Sequence, residues 1–243
     1  MAMRDFNLPE TPADTEVLDP ARQKRKRLIG GSLELRRQNG KPSQVHGPLV
    51  LDPVFYPDQE QTLKTYCSPS DPRPLLIEIG FQMGEFAAAM LEQTPGVRYV
   101  GFEVRAKYCN ETGALFESKG LSDVWLALVD AREVMPRVLE PGSVDTLFVF
   151  FPDPWWKPRH IKKRLLYADF IADCAVWLKP GGRLLLKTDV LGYADWAEGE
   201  LRGESRFETK RLLDPTATLP PTLRERRCAF HGYPTYAVEA IRL

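Results

Sequence analysis

Asp153 stands where an apolar segment of this sequence gives way to an aromatic and basic one. The residues from Leu147 to Lys157 read LFVFFPDPWWK, so a proline flanks the aspartate on each side. Proline restricts its own backbone and that of the preceding residue, and the carboxylate is therefore expected to be held in place. The two tryptophans offer a stacking surface for a planar ligand. Any one of these features is as typical of a strand followed by a proline-rich turn as of a functional site. Their combination favours a functional site.

Positive charge is concentrated directly after the tryptophans. The segment from Lys157 to Arg164 reads KPRHIKKR and contains no acidic residue. Lysine and arginine side chains at this density attract nucleic-acid phosphates. The alternative interpretation is the solvated start of a helix.

Five carboxylates, including Asp153, share one position relative to the predicted strands. They are Glu78, Glu103, Asp130, Asp153 and Asp189, and each lies in a predicted strand or just after one. Ligands of open α/β sheets bind at the carboxyl ends of the strands, so these side chains are expected to gather along one edge. Any one of them could instead be a helix N-cap or a turn former.

Strand-like and helix-like segments alternate from Leu75 onward. The predicted strands are Leu75–Ile79, Arg98–Glu103, Val124–Val129, Leu147–Phe151 and Arg183–Lys187, followed later by Phe207–Leu213 and Tyr236–Ile241. The predicted helices are Glu85–Glu92, Ala106–Lys119, Val134–Leu139 and Leu165–Leu178, the last ended by the Lys179-Pro180-Gly181-Gly182 stop. This alternation predicts an α/β fold with a mostly parallel sheet of about seven strands, covered by helices on both faces.

The turn after the first of these strands carries two glycines, Gly80 and Gly84. Glycine lets the backbone approach a ligand closely, although this spacing is not a full dinucleotide fingerprint. Glu103, at the end of the next strand, is suited to accept hydrogen bonds from a ribose diol. Because the chain lacks a Gly-Lys-Ser/Thr motif for a triphosphate, a nucleoside cofactor of neutral or positive charge is favoured. S-adenosylmethionine fits that description.

Length and composition limit the protein class. The 243 residues, 43% hydrophobic with a formal net charge of +0, predict one α/β domain with an extension. Residues 1–72 form the predicted basic, partly disordered extension and residues 73–243 the predicted domain. The extension contains the run from Arg22 to Arg27, which is either a solvated tail or an arm for RNA phosphate.

Cysteine and histidine usage predicts neither disulfides nor a metal site. The four cysteines form no CxxC pair, and the three histidines have no metal-ligand spacing. No apolar stretch approaches the roughly 18 residues needed to span a bilayer. We therefore expect a cytoplasmic protein with free thiols, no metal and no membrane partner.

Several blocks of the sequence, in order and without large gaps, resemble the bacterial tRNA (guanine-N7)-methyltransferases. The blocks are EIGFQMGEF, GFEVRAKY, FVFFPDPWWKPRHIKKR, LKPGGRLLLKTDVLGYADW and PTLRERRCAFHGYPTY, between about Leu75 and the C-terminus. The resemblance implies a Rossmann-like class I methyltransferase fold. It also implies transfer of a methyl group from S-adenosylmethionine to N7 of a guanine in the tRNA variable loop, position 46.

The resemblance also implies the roles of individual residues. Cofactor-binding residues would be Glu78, Gly80, Gly84, Glu103, Asp130 and Asp153. Substrate-binding residues would be Lys157, Asp189, Thr222, Leu223, Arg224 and Glu225. RNA-contacting residues would be Arg159, His160, Ile161, Lys162, Lys163 and Arg164. One departure from the family is Gln82, which stands where the family usually has a glycine and resists a positive φ.

The chemistry of guanine N7 is consistent with this assignment. N7 carries a lone pair and no proton, so orientation rather than a general base should dominate the methyl transfer. Positive charge develops on the purine, and a fixed carboxylate nearby would stabilise it. We assign this catalytic role to Asp153.

Two alternative functions remain open: an RNA-binding protein on a decayed methyltransferase fold, or a methyltransferase of another RNA or of a small molecule. The protein is expected to be a monomer or a homodimer.

Overall fold

The structure of the protein, a computed structural model, describes residues 45–212 and 219–243. Its strands are β1 (Val50–Leu51), β2 (Leu75–Ile79), β3 (Arg98–Glu103), β4 (Val124–Leu128), β5 (Val144–Phe150), β6 (Leu178–Thr188), β7 (Phe207–Leu212) and β8 (Tyr236–Arg242). Its helices are α1 (Pro57–Tyr66), α2 (Glu85–Gln93), α3 (Ala106–Ser118), α4 (Ala131–Val138), α5 (Ala168–Trp177), α6 (Leu191–Arg202) and α7 (Leu223–Phe230). A 3-10 helix covers Pro158–Lys163.

All eight strands form one sheet, in the order β1-β4-β3-β2-β5-β6-β8-β7. The first six pair in parallel, and β8 is antiparallel to both β6 and β7. This confirms the predicted α/β fold with a mostly parallel sheet. Among the described residues the sheet has one strand more than the seven expected, because the two-residue strand β1 pairs with β4.

The apolar β5 shows why the sheet is covered on both faces. Leu147 and Val149 belong to one buried cluster, and Phe148 and Phe150 belong to the cluster on the opposite face. Successive side chains of a strand point to opposite faces, so a continuous apolar run needs helices on both. The buried chain of β5 thus ends at the carboxyl edge of the sheet, three residues before Asp153.

Part of the segment before residue 73 packs on this core. Leu63 of α1 and Cys67 just after it are fully buried in the same cluster as Leu147. The basic run from Arg22 to Arg27 lies outside the described residues, and so does Leu213, the last residue of one predicted strand.

Several element boundaries differ from the sequence predictions by one to five residues, and two of these differences have a clear local reason. Helix α4 begins three residues earlier than predicted, because the Asp130 side chain accepts a hydrogen bond from the Arg132 backbone N–H and caps the helix. Strand β6 begins at Leu178, five residues before the predicted start at Arg183. Val144 of β5 pairs with Leu178 and Thr146 pairs with Arg183, so the residues between Leu178 and Arg183 form a bulge in the pairing of the two strands. Gly181 in this bulge has a φ of 78°, which glycine adopts without strain.

Candidate active site

The five predicted carboxylates lie at the carboxyl edge of the parallel strands. Glu78 is inside β2, Glu103 ends β3, Asp130 and Asp153 lie two and three residues beyond β4 and β5, and Asp189 directly follows β6. Strands β2 to β6 are mutually parallel, so their ends meet at one edge.

A cleft with an empty volume of about 380 Å³ opens at this edge. Three segments line it: the turn from Gly80 to Gly84 with the start of α2, the end of β5, and residues 222–224 at the start of α7. Glu78 also lines the cleft. The structure therefore brings the glycine turn together with a segment about 140 residues later in the chain. Glu103, Asp130, Asp153, Lys157, Asp189 and Glu225 are not part of the cleft lining.

The turn between β2 and α2 needs left-handed backbone at three of its five residues. Gly80, Gln82 and Gly84 have φ values of 81°, 49° and 67°. A Cβ atom on Gly84 would lie 2.2 Å from the Thr112 side chain, so only glycine fits there. Gln82 takes the glycine-type conformation despite its side chain, and its carbonyl accepts a hydrogen bond from the Thr112 hydroxyl at 2.9 Å. The departure from the family pattern is accommodated by backbone strain.

Glu78 is a buried carboxyl group in the lining of the cleft. Its carboxylate accepts a 2.7 Å hydrogen bond from the Tyr99 hydroxyl. The pKa of Glu78 is raised to about 7, mainly by burial and to a smaller extent by the nearby Glu103 carboxylate, against the opposing effect of the Tyr99 hydrogen bond. Gly101 leaves room for this pair, since a Cβ atom there would lie 3.0 Å from the Tyr99 hydroxyl oxygen.

Glu103 is held by backbone groups of its own loop. Its Oε1 accepts hydrogen bonds from the N–H groups of Val104 at 2.8 Å and Arg105 at 3.1 Å. Within the described residues its Oε2 has no hydrogen-bond donor. One oxygen therefore fixes the side chain, and the other can accept from a ligand hydroxyl.

Asp130 has a partner for both carboxylate oxygens. In addition to capping α4, it forms an ion pair with Arg132, with 2.6 Å between Oδ2 and Nη2. The N-cap alternative from the sequence therefore applies to this residue. A cofactor contact through Asp130 would have to share these oxygens.

Asp153 is exposed, and its carboxylate forms no hydrogen bond or ion pair with a described residue. The backbone on both sides of it is strained: Phe151 and Trp155 have φ values of 50° and 42°. Left-handed backbone at bulky residues costs on the order of 1 kcal/mol or more and is concentrated at functional sites. Trp156 is 55% exposed and available for stacking, whereas the Trp155 ring contacts His160.

The predicted RNA-contacting segment divides into an outer and an inner part. Lys157, Arg159, Lys162 and Lys163 are exposed, and His160 and Ile161 are half-buried. Arg164 is only 3% exposed.

Arg164 supports the segment from inside the protein. Its Nε donates a 2.8 Å hydrogen bond to the Pro154 carbonyl, and its guanidinium lies 4.4 Å from the Trp196 ring centre. Burial lowers its pKa. We therefore remove Arg164 from the predicted RNA contacts, because its charged group is enclosed by protein.

Helix α7 is fastened to the sheet edge by a capping box and a buried ion pair. The Thr222 hydroxyl accepts from the Glu225 N–H at 3.1 Å, and Oε2 of Glu225 accepts from the Thr222 N–H at 2.7 Å. Oε1 of Glu225 pairs with Nζ of Lys187 in β6 at 2.7 Å, and the two side chains are 4% and 0% exposed. Asp189, which follows β6, pairs with Arg224. Two ion pairs thus join α7 to the end of β6.

Sequence reasoning missed Lys187 and Tyr99, which hold Glu225 and Glu78 in place. The signal for Lys187 was present: a lysine inside an apolar strand is rarely buried unless it is paired. Tyr99 gave no comparable signal, because a tyrosine in a strand is ordinary. Its role depends on the parallel pairing of β2 with β3.

The described residues hold no group of three or more His, Cys, Asp or Glu side chains arranged to bind a metal ion. No helix among them is both long and apolar enough to cross a membrane.

Comparison with known proteins identifies the family. A family model described as "Putative methyltransferase" matches residues 72–238. The tRNA (guanine-N(7)-)-methyltransferase of Halorhodospira halophila is 35% identical over 164 residues, 66% of this chain and 71% of that protein. The protein of the same name from Hydrogenovibrio crunogenus is 41% identical over 121 residues, half of each chain.

Solved structures agree with the fold. An rRNA methylase from Streptococcus thermophilus superposes with a TM-score of 0.50 at 15% identity, over 76% of this chain and 95% of that one. An antibiotic-related methyltransferase superposes with a TM-score of 0.51 at 17% identity, over 77% and 93%. At these identities the structures show the methyltransferase fold alone. The family model and the relatives confirm the resemblance: the chain belongs to the family of bacterial tRNA (guanine-N7)-methyltransferases.

Proposed function

We propose that this protein transfers the methyl group of S-adenosylmethionine to N7 of guanine 46 in the variable loop of tRNA. One observation carries the proposal: a single cleft joins the glycine turn after β2 to the start of α7. The first segment is where class I methyltransferases bind their cofactor, and the resemblance assigns the second to the target nucleotide. S-adenosylmethionine is the methyl donor of this family.

The residues of the cleft are compatible with this cofactor. The positive φ values at Gly80 and Gly84 turn the backbone sharply, and a Cβ atom on Gly80 would enter open space. Outside the cleft lining, at the same edge of the sheet, the second carboxylate oxygen of Glu103 suits a ribose hydroxyl. When bound, the cofactor supplies an electrophilic methyl group.

We assign Asp153 the catalytic role. The guanine gains positive charge as its N7 is methylated, and an unpaired carboxylate held between two prolines can stabilise that charge. The same carboxylate can accept hydrogen bonds from the guanine N–H donors. The charge of Asp153 is available for this, because within the described residues it is not neutralised by an ion pair.

The residues assigned to the target nucleotide fall into two groups. Thr222, Leu223 and Arg224 line the cleft and can contact it directly. Glu225 has both oxygens engaged inside the protein, so it positions α7 instead of touching the base. Asp189 orients Arg224.

Binding of the tRNA backbone falls to exposed cations. We assign Lys157, Arg159, Lys162 and Lys163 to phosphate contacts, and the half-buried His160 and Ile161 lie between them in the same segment. The proposal also assigns the protein to the cytoplasm, with tRNA as its macromolecular substrate.

The decisive assay incubates the protein with methyl-labelled S-adenosylmethionine and tRNA that lacks the modification. We expect label in 7-methylguanosine, mapped to position 46 by chain cleavage at that nucleotide. A transcript with adenine at position 46 is the control and should stay unlabelled. Cofactor binding with label at another atom or RNA would favour the other methyltransferase alternative, and tRNA binding without any transfer would favour the RNA-binding alternative.

Replacing Asp153 by asparagine tests the assigned chemistry. The amide keeps the shape of the side chain and removes its charge, so kcat should fall on the order of a hundredfold or more. The midpoint of thermal unfolding should stay within a few degrees, because this side chain is exposed. Turnover within about threefold of the wild-type value would exclude Asp153 from the mechanism.

A further inference from the structure

An aromatic surface stands exposed where α7 ends. The Phe230 and Tyr233 side chains are 86% and 65% exposed, and His231 between them is exposed as well. The Phe230 and His231 ring centres lie 5.0 Å apart, and those of His231 and Tyr233 lie 5.9 Å apart. Together with Arg227, these three residues are called the C-terminal platform. Adjacent exposed rings form a contiguous apolar patch, and such patches mark interaction sites more often than single exposed apolar residues do.

The backbone that carries the platform is fixed by hydrogen bonds. The Tyr233 N–H donates to the Cys228 carbonyl at 2.8 Å, and the Gly232 N–H donates to the Ala229 carbonyl at 3.1 Å. Gly232 has a φ of 69°, the left-handed conformation that commonly ends a helix. The rings therefore project from an ordered helix end, which lowers the entropy lost when they bind a ligand.

The platform lies on the same edge of the sheet as the cleft. The segment from Phe230 to Thr235 leads directly into β8, whose first residue Tyr236 pairs with Thr188 at the carboxyl end of β6. The Cys228 sulfur is 4.0 Å from a carboxylate oxygen of Asp189. Helix α7 has eight residues, so about 12 Å separates the cleft-lining end from the platform. That distance is roughly the span of three or four stacked nucleotides.

Charge indicates which partner fits this surface. Three arginines of α7 are exposed, Arg224, Arg226 and Arg227, and the one acidic residue of the helix, Glu225, is buried. Arg224 and Arg226 pair with Asp189 and Glu85, whereas Arg227 has no ion pair within the described residues. Arg227 precedes Phe230 by three positions and so lies on the same helical face. A cation without an ion pair beside flat rings is complementary to a nucleotide. The arginine can bind the phosphate while an aromatic ring stacks on the base.

We propose that the C-terminal platform stacks on an unpaired base of the tRNA, close to the guanine held in the cleft, while Arg227 contacts its phosphate. This inference rests on the proposed function and adds a second RNA-binding surface to it. Bases within a few nucleotides of an unstacked target lose stacking partners when the strand opens, and an aromatic surface at that distance from the cleft replaces them. The platform therefore acts on tRNA affinity and not on binding of the cofactor.

The test compares two substitutions of Phe230. Leucine keeps an apolar side chain but cannot stack, whereas tryptophan stacks at least as well as phenylalanine. Phe230→Leu should weaken tRNA binding roughly 5- to 100-fold, the range expected for loss of one stacked base, and Phe230→Trp should retain wild-type affinity. The dissociation constant of S-adenosylhomocysteine should stay the same in both variants. Leu243→Ala is the matched control, because Leu243 is 62% exposed and follows β8 at the opposite edge of the sheet.

Three results would overturn the proposal. The first is a tRNA affinity of Phe230→Leu within twofold of wild type. The second is equal loss in Phe230→Leu and Phe230→Trp, which would indicate a shape requirement instead of stacking. The third is a change from dimer to monomer by light scattering in Phe230→Leu with unchanged tRNA affinity, since the surface would then bind a second copy. Failure of the proposed function is seen separately, as absence of N7 methylation by the wild-type protein in the same tRNA.

Discussion

At the scale of single residues, Glu78 shows how burial changes a carboxyl group. Its raised pKa of about 7 means that the folded protein binds a proton more tightly than the unfolded chain, whose carboxyl has a pKa near 4.5. The contribution of Glu78 to stability is therefore greatest below about pH 4.5 and is lost progressively as the pH rises to about 7.

Glu78→Gln should consequently remove the free-energy cost of burying the ionised carboxylate, which grows as the pH rises. Glutamine still accepts the hydrogen bond from Tyr99 and carries no charge to bury. We expect the variant to exceed the wild type in free energy of unfolding by up to about 3 kcal/mol at pH 8 and to match it near pH 4.5. Urea denaturation at several pH values measures this difference. A difference that stays constant between these pH values would show that Glu78 has an ordinary pKa.

The sequence located these site residues better than it described their partners. Glu78 and Glu103 were placed at strand ends because the apolar runs before them mark the strands. The burial of Arg164 could not be read in the same way, since its enclosing ring belongs to Trp196, 32 positions later. A basic residue in a basic segment carries no local sign of burial.

At the scale of elements, α7 depends on one buried ion pair. Lys187→Met would leave Glu225 charged and unpaired, and such a loss typically costs about 3–5 kcal/mol. In the double variant Lys187→Met/Glu225→Gln neither charge is buried, and the glutamine can still complete the capping box. We therefore expect the double variant to recover most of the stability and of kcat/KM for tRNA. If the losses of stability in the two single variants simply add in the double variant, the ion pair does not stabilise the position of α7.

The 3-10 segment makes a second prediction at this scale. Replacing Arg159, Lys162 and Lys163 by alanine should weaken tRNA binding and make the slope of log affinity against log salt shallower by about one unit for each lost phosphate contact. Arg164→Ala is the matched contrast. It should lower the unfolding temperature and leave the salt slope unchanged, because its charge is buried. An unaltered slope in the triple variant would support the solvated-segment interpretation.

At the scale of the whole molecule, the order of strands and helices from β2 to β6 followed from the alternation of apolar segments, and β7 and β8 were predicted as later strands, whereas helices α6 and α7 were not predicted. The elements β1 and α1 were not predicted either, because their segment is rich in proline and charge and α1 buries only Leu63 of its ten residues. A two-residue strand leaves no periodic pattern, and its existence depends on β4 lying beside it. Short elements that are stabilised by tertiary contacts escape sequence reasoning for this reason.

The four cysteines provide a global check on the packing. Cys67, Cys109, Cys174 and Cys228 are free and buried, and burial raises the pKa of each thiol, to about 12 for Cys67 and Cys109. At pH 8 the native protein should therefore react with a thiol reagent far more slowly than free cysteine does, and all four thiols should react in guanidinium. A native thiol that reacts at the rate of free cysteine would show local opening around that residue.

The position of β8 has a consequence for biosynthesis. The strand lies between β6 and β7 although it follows both of them in the chain, and α7 immediately precedes it. On the ribosome, β6 and β7 emerge without the strand that joins them, and the substrate side of the cleft does not yet exist. A nascent chain therefore cannot complete the cleft before α7 and β8 have left the ribosome, and a stop codon between β7 and α7 would leave β6 and β7 without the strand that joins them and with unpaired edges.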